Sequence, residues 1–221
     1  MSGGGGAAPS GGRFAVHRLS PERAGDFLTL FDRAFPDNPD WSGCYCRFYH
    51  CPESPWDSTP AAAARHRQDA AQAIAAGLQA GFLAYPADDA GRGSEGVSRG
   101  GGARPAAGAV GWLNAGPRAG FSNPRGYDAQ GGGADAWAKC FVVAPAWRGQ
   151  GVAGALLESA LAALRSDGVR SIEAFPQAVA PAVAERFAAG SYKGPLSLYE
   201  RLGFRREAEL PHGRLRVRLD L

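Results

Sequence analysis

The stretch WRGQGVAGALL, Trp147 to Leu157, sets three glycines between an apolar run and a helix-forming one, and the tyrosine of LYERLGF, Tyr199, follows about fifty residues later. Glycines at a helix start leave consecutive backbone N–H groups uncovered by Cβ atoms. Those donors, with the helix dipole behind them, suit an anionic phosphate. A tyrosine hydroxyl can give or take a proton. The chemistry these types point to is a phosphate-bearing ligand and a proton transfer.

Two phosphate loops overlap in this stretch. Gly149, Gly151 and Gly154 satisfy G-x-G-x-x-G, and Glu173 stands about twenty residues on, where a dinucleotide-binding unit keeps its ribose carboxylate. That fingerprint needs a tight turn from strand to helix. Here Pro145, Ala146, Trp147 and Arg148 intervene, Glu173 falls inside SIEAF rather than after it, and only about fifty residues remain to complete a nucleotide-binding sheet. The other pattern is [R/Q]-x-x-G-x-[G/A], met by Arg148, Gly149, Gln150, Gly151, Val152 and Ala153. It lets the strand stop early and a pyrophosphate lie on the amides that open the helix. Context favours this second loop, and a NAD-dependent oxidoreductase is the lesser alternative.

The elements that must position these residues follow from hydrophobic periodicity. Residues 13–20 read as a first strand, ended by Ser20-Pro21. Residues 21–35 read as an amphipathic helix, with Ala24, Phe27, Leu28, Phe31 and Phe35 at spacings of three and four. The Ala-rich residues 58–78, with Pro60 in the first turn, read as a second helix. The short apolar runs 81–86 and 108–116 suit an antiparallel pair. Residues 135–145 form a longer strand, 151–168 a helix with Val152, Leu156, Ala160 and Leu164 down one face, and 169–177 a strand. The strands of such a β-α-β unit should be parallel. A short helix closed by Gly203 and a hairpin around Pro211-His212-Gly213 end the chain. The expected fold class is α/β, or mixed α+β, in the order β-α-α-β-β-β-α-β-α-β-β with helices on both faces.

VVAPAWRGQGVAGALL is similar to the V-x-P-x-x-R-G-x-G-[IV]-[GA] segment of the GNAT superfamily of acyl-CoA-dependent N-acetyltransferases, and LYERLGF resembles its L-Y-x-x-x-G-F segment. The order of elements is similar to that family's fold, a mixed and mostly antiparallel sheet. The resemblance implies an acyltransferase that moves acetyl from the cosubstrate acetyl-CoA to a primary amine by direct attack in a ternary complex, with no metal. It implies main-chain contacts to the pantetheine arm from Phe141, Val142 and Val143 on a splayed strand, and a pyrophosphate on the amides of Arg148, Gly149, Gln150, Gly151, Val152 and Ala153. Tyr199 matches the residue that protonates the departing CoA thiolate. A phenol with a pKa of about 10 can protonate a thiolate whose acid titrates at about 8.5, given proximity. Many members carry an Asn upstream of this tyrosine; here the stretch is GSYKGPLSLYE, and Lys193 or Ser197 is expected to take part of its role. The attacking amine must be neutral, and Glu173 and Asp135 are the candidate bases.

NPDWSGCYCRFYHCP is the other unusual stretch. Cys44, Cys46, His50 and Cys51 are numerous enough for zinc, but they lack the paired C-x2–4-C spacing of structural sites. The resemblance places this stretch on the acceptor side, and the segment from Trp41 to Cys46 resembles a subset of uncharacterised bacterial members. Trp41, Cys44, Tyr45 and Cys46 are therefore candidate acceptor-binding residues. A hydrophobic plug using free cysteine as a small hydrophobe is the alternative.

The 221 residues, 45% hydrophobic, suffice for one domain, expected over residues 13–221. Residues 1–12 read as a disordered tail with neither secretory nor transit character, and residues 88–105 as a flexible loop between two strands. No run of about 18 apolar residues occurs. Four cysteines without a secretory signal argue against a disulfide framework. The net charge of +3 is small and spread along the chain. The expectation is a soluble, cytoplasmic protein whose partners are neither nucleic acid nor membrane. Its acceptor is a small metabolite, an antibiotic-like amine, or a protein N-terminus or lysine, because fold does not determine substrate. Dimers are common in the family, so a homodimer is admitted. A non-catalytic acyl-CoA-binding sensor is the rival reading, since the phosphate loop does not require catalysis.

Overall fold

The computed structural model describes residues 12–35, 43–50, 57, 59–87, 108–123, 132–178 and 192–221. The expected loop at 88–105, the tail up to residue 11, Trp41 and Cys51 lie outside them. In chain order the elements are β1 (Phe14–Arg18), α1 (Ala24–Ala34), α2 (Pro60–Ala75), β2 (Phe82–Pro86), β3 (Gly111–Pro117), β4 (Ala136–Val143), α3 (Val152–Ser166), β5 (Ser171–Ala174), α4 (Leu196–Arg201), β6 (Arg205–Leu210) and β7 (Arg214–Asp220). The order is the one the periodicity implies. Element ends are shorter, and residues 21–23 form a separate 3-10 turn before α1.

The strands make one sheet in the order β1-β2-β3-β4-β5-β7-β6. Every neighbouring pair is antiparallel except β4 with β5. A sheet with one parallel pair is not the doubly wound parallel sheet that a dinucleotide fold needs. Helix α3 covers one face, burying Val152, Leu156, Leu157, Ala160 and Leu164 against Phe82, Ala84 and Leu113. Each of the Val and Leu side chains among them stabilises the fold by about 1.5–3 kcal/mol. The helix comes close to β3: a Cβ on Gly111 would lie 2.4 Å from Val152 Cγ1. Helices α1 and α2 cover the other face through Phe27, Phe31 and Ile74, which pack with Leu83, Trp112 and Val142. Tyr49, Phe121, Trp137, Phe175 and Leu210 form a third buried cluster. Among the described residues no helix is long and apolar enough to cross a membrane.

Strand β4 carries an irregularity that shapes everything beyond it. Asn114 faces Cys140 and Ala115 faces Ala138, so Lys139 is one residue extra, a β-bulge. Bulges increase local twist and bend the strand. Pairing of β4 with β5 ends at Ala138 and Ala174. Past that point β4 and β5 no longer pair, which leaves a gap in the strand pairing along that edge among the described residues.

Candidate active site

The gap leaves one side of β4 without a strand partner among the described residues. Ala144 N–H donates to Val110 O at 2.9 Å, and antiparallel ladders alternate, so the main-chain groups of Val142 turn inward to β3 while those of Phe141 and Val143 turn to the gap. Phe141 N–H donates there to Tyr192 O at 2.6 Å, and Val143 O accepts from Arg148 Nε at 3.2 Å. Of the three residues expected to offer main-chain contacts, Val142 is the one whose groups the ladder consumes.

Beyond β4 the chain makes a 3-10 turn, residues 145–147, and reaches the glycine loop. Gly149 and Gly151 have φ of 71° and 89°, the left-handed region where an L side chain is strained, and open space lies where a Cβ would point. Gly151 is the N-cap of α3. The first helical bond runs from Ala155 N–H to Gly151 O, so the N–H groups of Gly151, Val152, Ala153 and Gly154 precede the ladder and are the orphan donors of a helix start. Two side chains brace the loop. Arg148 reaches back to Val143 O and to Ala34 O at 3.4 Å, and Gln150 Nε2 donates to Ala146 O at 2.7 Å while its Oε1 accepts from Arg13. Arg148 and Gln150 thus shape the loop with their side chains. Arg201 of α4 brings a guanidinium nitrogen to 3.5 Å from the Cβ position of Gly154. That cation beside the loop escaped sequence reasoning, because nothing in LYERLGF marks it as facing α3.

Tyr199 sits in α4, 1% exposed, with its ring edge-on to Phe141 and Phe204 at 6.4 and 5.2 Å. Its hydroxyl donates to Lys193 O at 2.6 Å. Burial, with the Cys140 thiol nearby, pushes the phenol well above its ordinary range, so it keeps its proton. Tyr199 and Phe141 N–H therefore both meet the same short segment beside the gap.

The two expected bases are placed otherwise. Glu173 is fully buried, but Oε2 accepts from Trp137 Nε1 at 3.1 Å and Oε1 from Gly132 N–H at 2.7 Å, with Arg216 Nε at 4.0 Å. Its oxygens are committed to structure. Asp135 precedes β4, on the far side of the paired segment from the gap, and both its oxygens bond Arg170, which holds the carboxyl below its usual range. A surface cleft of about 360 Å³ lined by Asp135, Arg170, Arg218 and Asp220 also lies at that end.

On the acceptor-side stretch, Tyr45 and Cys46 take φ of 42° and 55°, an uncommon left-handed pair for non-glycine residues. Tyr45 stacks on Phe31 at 5.7 Å and donates to Asp32 Oδ1 at 2.6 Å; burial, then that carboxylate, push its phenol up to about 12. Cys46 is buried and its Sγ accepts from Asn114 Nδ2 at 3.1 Å, while Cys44 is half-buried. These contacts tie Tyr45 to α1 and Cys46 to β3. Among the described residues no group of three His, Cys, Asp or Glu is arranged to hold a metal.

The residues that do face the third cluster are ones sequence reasoning gave other roles or none. His50 Nδ1 bonds Gly120 O at 3.0 Å, which places that proton on Nδ1 and leaves Nε2 as the acceptor beside Asn114 Nδ2 at 3.3 Å. Burial lowers its pKa. Lys139, from the bulge, lies over Trp137 at 3.4 Å and Phe175 at 4.2 Å, and Lys193 Nζ donates to Tyr49 Oη at 2.7 Å.

Residues 115–206 match the sequence profile of the acetyltransferase (GNAT) domain. No curated protein matches the chain. Among solved structures, a protein assigned to the GnaT-family acetyltransferases of Bordetella pertussis is 16% identical, with 93% of this chain and 95% of that one covered and a TM-score of 0.50. A GNAT-family structure from Desulfovibrio desulfuricans is 17% identical over 94% and 98% of the two chains, TM-score 0.49. The GNAT domain of S. lividans PAT is 17% identical over 94% and 90%, TM-score 0.48. At such identities the likeness concerns the fold; it is the profile match that makes the chain an acyltransferase enzyme.

Proposed function

We propose that this chain, whose residues 115–206 carry an acetyltransferase (GNAT) domain, moves acetyl from acetyl-CoA to a primary amine by direct attack in a ternary complex. The sheet runs from Phe14 to Asp220, and we assign the domain to residues 13–221. The observation that carries the reading is that three features meet at one end of β4: an edge at Phe141 and Val143 that pairs with no described strand, the orphan amides of the α3 N-terminus, and the protonated hydroxyl of Tyr199.

In this reading the edge of β4 takes the pantetheine arm, the loop from Arg148 to Ala153 takes the pyrophosphate on its amides, and Arg201 adds a positive charge beside it. The open space at Gly149 and Gly151 fits a bulky anion brought against the backbone. As the acceptor nitrogen bonds to the acyl carbon, the C–S bond breaks and Tyr199 gives its proton to the leaving sulfur; the proton lost by nitrogen passes to solvent, and the Tyr199 phenolate takes a proton back from solvent. The phenol is a weaker acid here than in water, yet the same burial that raises it also raises the basicity of a thiolate beside it. The transfer is thus not made steeper by burial itself. Glu173 we assign as the residue that fixes Trp137, rather than as the base. Tyr45, Cys44 and Cys46 we assign to the wall behind the acceptor side.

The test is the melting temperature with CoA, acetyl-CoA and NADH, each at about a hundredfold excess over its dissociation constant, where binding adds about 2.7 kcal/mol. A rise with both CoA species and none with NADH is expected, followed by turnover with some primary amine. Stabilisation by NADH alone would overturn the reading. Binding of CoA without turnover of any amine would leave a sensor.

A further inference from the structure

Residues 192–194 lie across the gap, and their contacts are with the groups that the acyl-CoA reading needs. Tyr192 O accepts from Phe141 N–H at 2.6 Å. Lys193 O accepts from Tyr199 Oη at 2.6 Å, and Lys193 Nζ crosses to Tyr49 Oη on the far wall at 2.7 Å. Gly194, at φ 77°, is seated so closely that a Cβ would come within 3.1 Å of Phe141 Cε2 and 3.4 Å of Tyr199 Cε2. Phe141 N–H and Tyr199 O–H each have a single proton to donate. Neither can serve this segment and an incoming arm or thiolate at full strength together.

We infer that residues 192–194 are a displaceable strap that stands in for the acyl-CoA arm. This inference rests on the acyl-CoA reading proposed above. Seated, the strap satisfies two buried donors that a bare gap would leave unpaired, at real cost to the fold. Arrival of the arm takes over both donors and unseats the strap, and Lys193 Nζ leaves Tyr49 with it. The acceptor-side wall therefore changes when acyl-CoA binds, and the apparent affinity for acyl-CoA is reduced by the fraction of molecules in which the strap is seated.

Calorimetric titration of the full chain with CoA tests this, using the wild type, Gly194→Ala and Lys193→Met. Alanine is strained at that φ and crowds Phe141, while Lys193→Met removes the anchor on Tyr49. Each variant should lower the Kd for CoA about fivefold to tenfold. A wild type that binds CoA, with either variant binding no tighter, overturns the strap and leaves the acyl-CoA reading standing. A wild type that binds neither CoA nor acetyl-CoA overturns the acyl-CoA reading and the strap with it. Should a variant not fold, trypsin on the wild type decides: the Lys193–Gly194 bond should resist cleavage without CoA and be cut at saturating CoA. Equal cleavage in both conditions sinks the strap.

Discussion

The hydroxyl of Tyr199 donates to the carbonyl oxygen of Lys193 at 2.6 Å, six residues earlier in the chain. This bond points the proton of a buried phenol at the segment whose Tyr192 carbonyl accepts from Phe141 N–H of β4. Replacing Tyr199 by Phe removes that proton while keeping the ring that packs on Phe141 and Phe204. Turnover should fall by about 10²–10⁴-fold, and CoA affinity should be retained or improved. Steady-state kinetics beside calorimetry measures both. Because the phenol titrates above its ordinary range, the wild-type rate should show no loss from its ionisation up to a pH of about 10.

Gly151 carries the left-handed turn that opens α3. A Gly151→Val chain must strain that turn and set branched bulk beside the orphan amides. The Kd for CoA should rise about fivefold to thirtyfold, since about 1–2 kcal/mol is the usual cost of this backbone region for an L residue. Titration of the folded variant with CoA checks it, and unchanged affinity would remove the loop from the binding site.

Glu173 accepts from two N–H donors at once. Its amide analogue presents an NH2 group to one of them, so Glu173→Gln should lose about 1–3 kcal/mol of stability in urea unfolding. The acidic limb of the kcat/KM profile should survive in this variant. Disappearance of that limb would restore Glu173 as the base.

His50 has a folded-state pKa depressed by burial below the usual 6.5. The unfolded chain therefore takes up its proton first as pH falls. The stability contributed by the neutral ring is complete above about 6.5 and is lost as pH drops through the lower folded value. Urea midpoints from pH 8 to 5 should fall more steeply for the wild type than for His50→Gln, and parallel curves would contradict the buried neutral ring.

Tyr45 spends its hydroxyl on Asp32. Tyr45→Phe should lower stability by about 1.5–3 kcal/mol, the range for a hydrogen bond to a charged group, with no change in KM for acetyl-CoA. A rise in the acceptor KM alone would return Tyr45 to the acceptor site.

Much of the fold was legible because its signals are local. The stripe of Val152, Leu156, Ala160 and Leu164 specifies α3 and the face it buries, and the glycines beside it specify where that helix begins. The two motifs, Arg148 to Ala153 and the stretch around Tyr199, carry the resemblance to acyl-CoA-dependent acetyltransferases in the same local way. The apolar runs likewise set the order of strands, and a single β-α-β crossover settles which pair is parallel.

What only the tertiary structure decided joins residues far apart. The bulge at Lys139 depends on which residue of β3 lies opposite, and it determines that Phe141 and Val143, not Val142, face the gap. Glu173 looks like a base in sequence, and only the fold shows that Trp137 and Gly132 donate to its two oxygens. Lys193 lies 144 residues from Tyr49 and still holds its hydroxyl. Periodicity reports which face of an element is apolar; it carries no record of which polar groups meet once two faces close. Local pattern therefore pointed to the acetyltransferase family, and packing decided which polar groups of the candidate site meet one another.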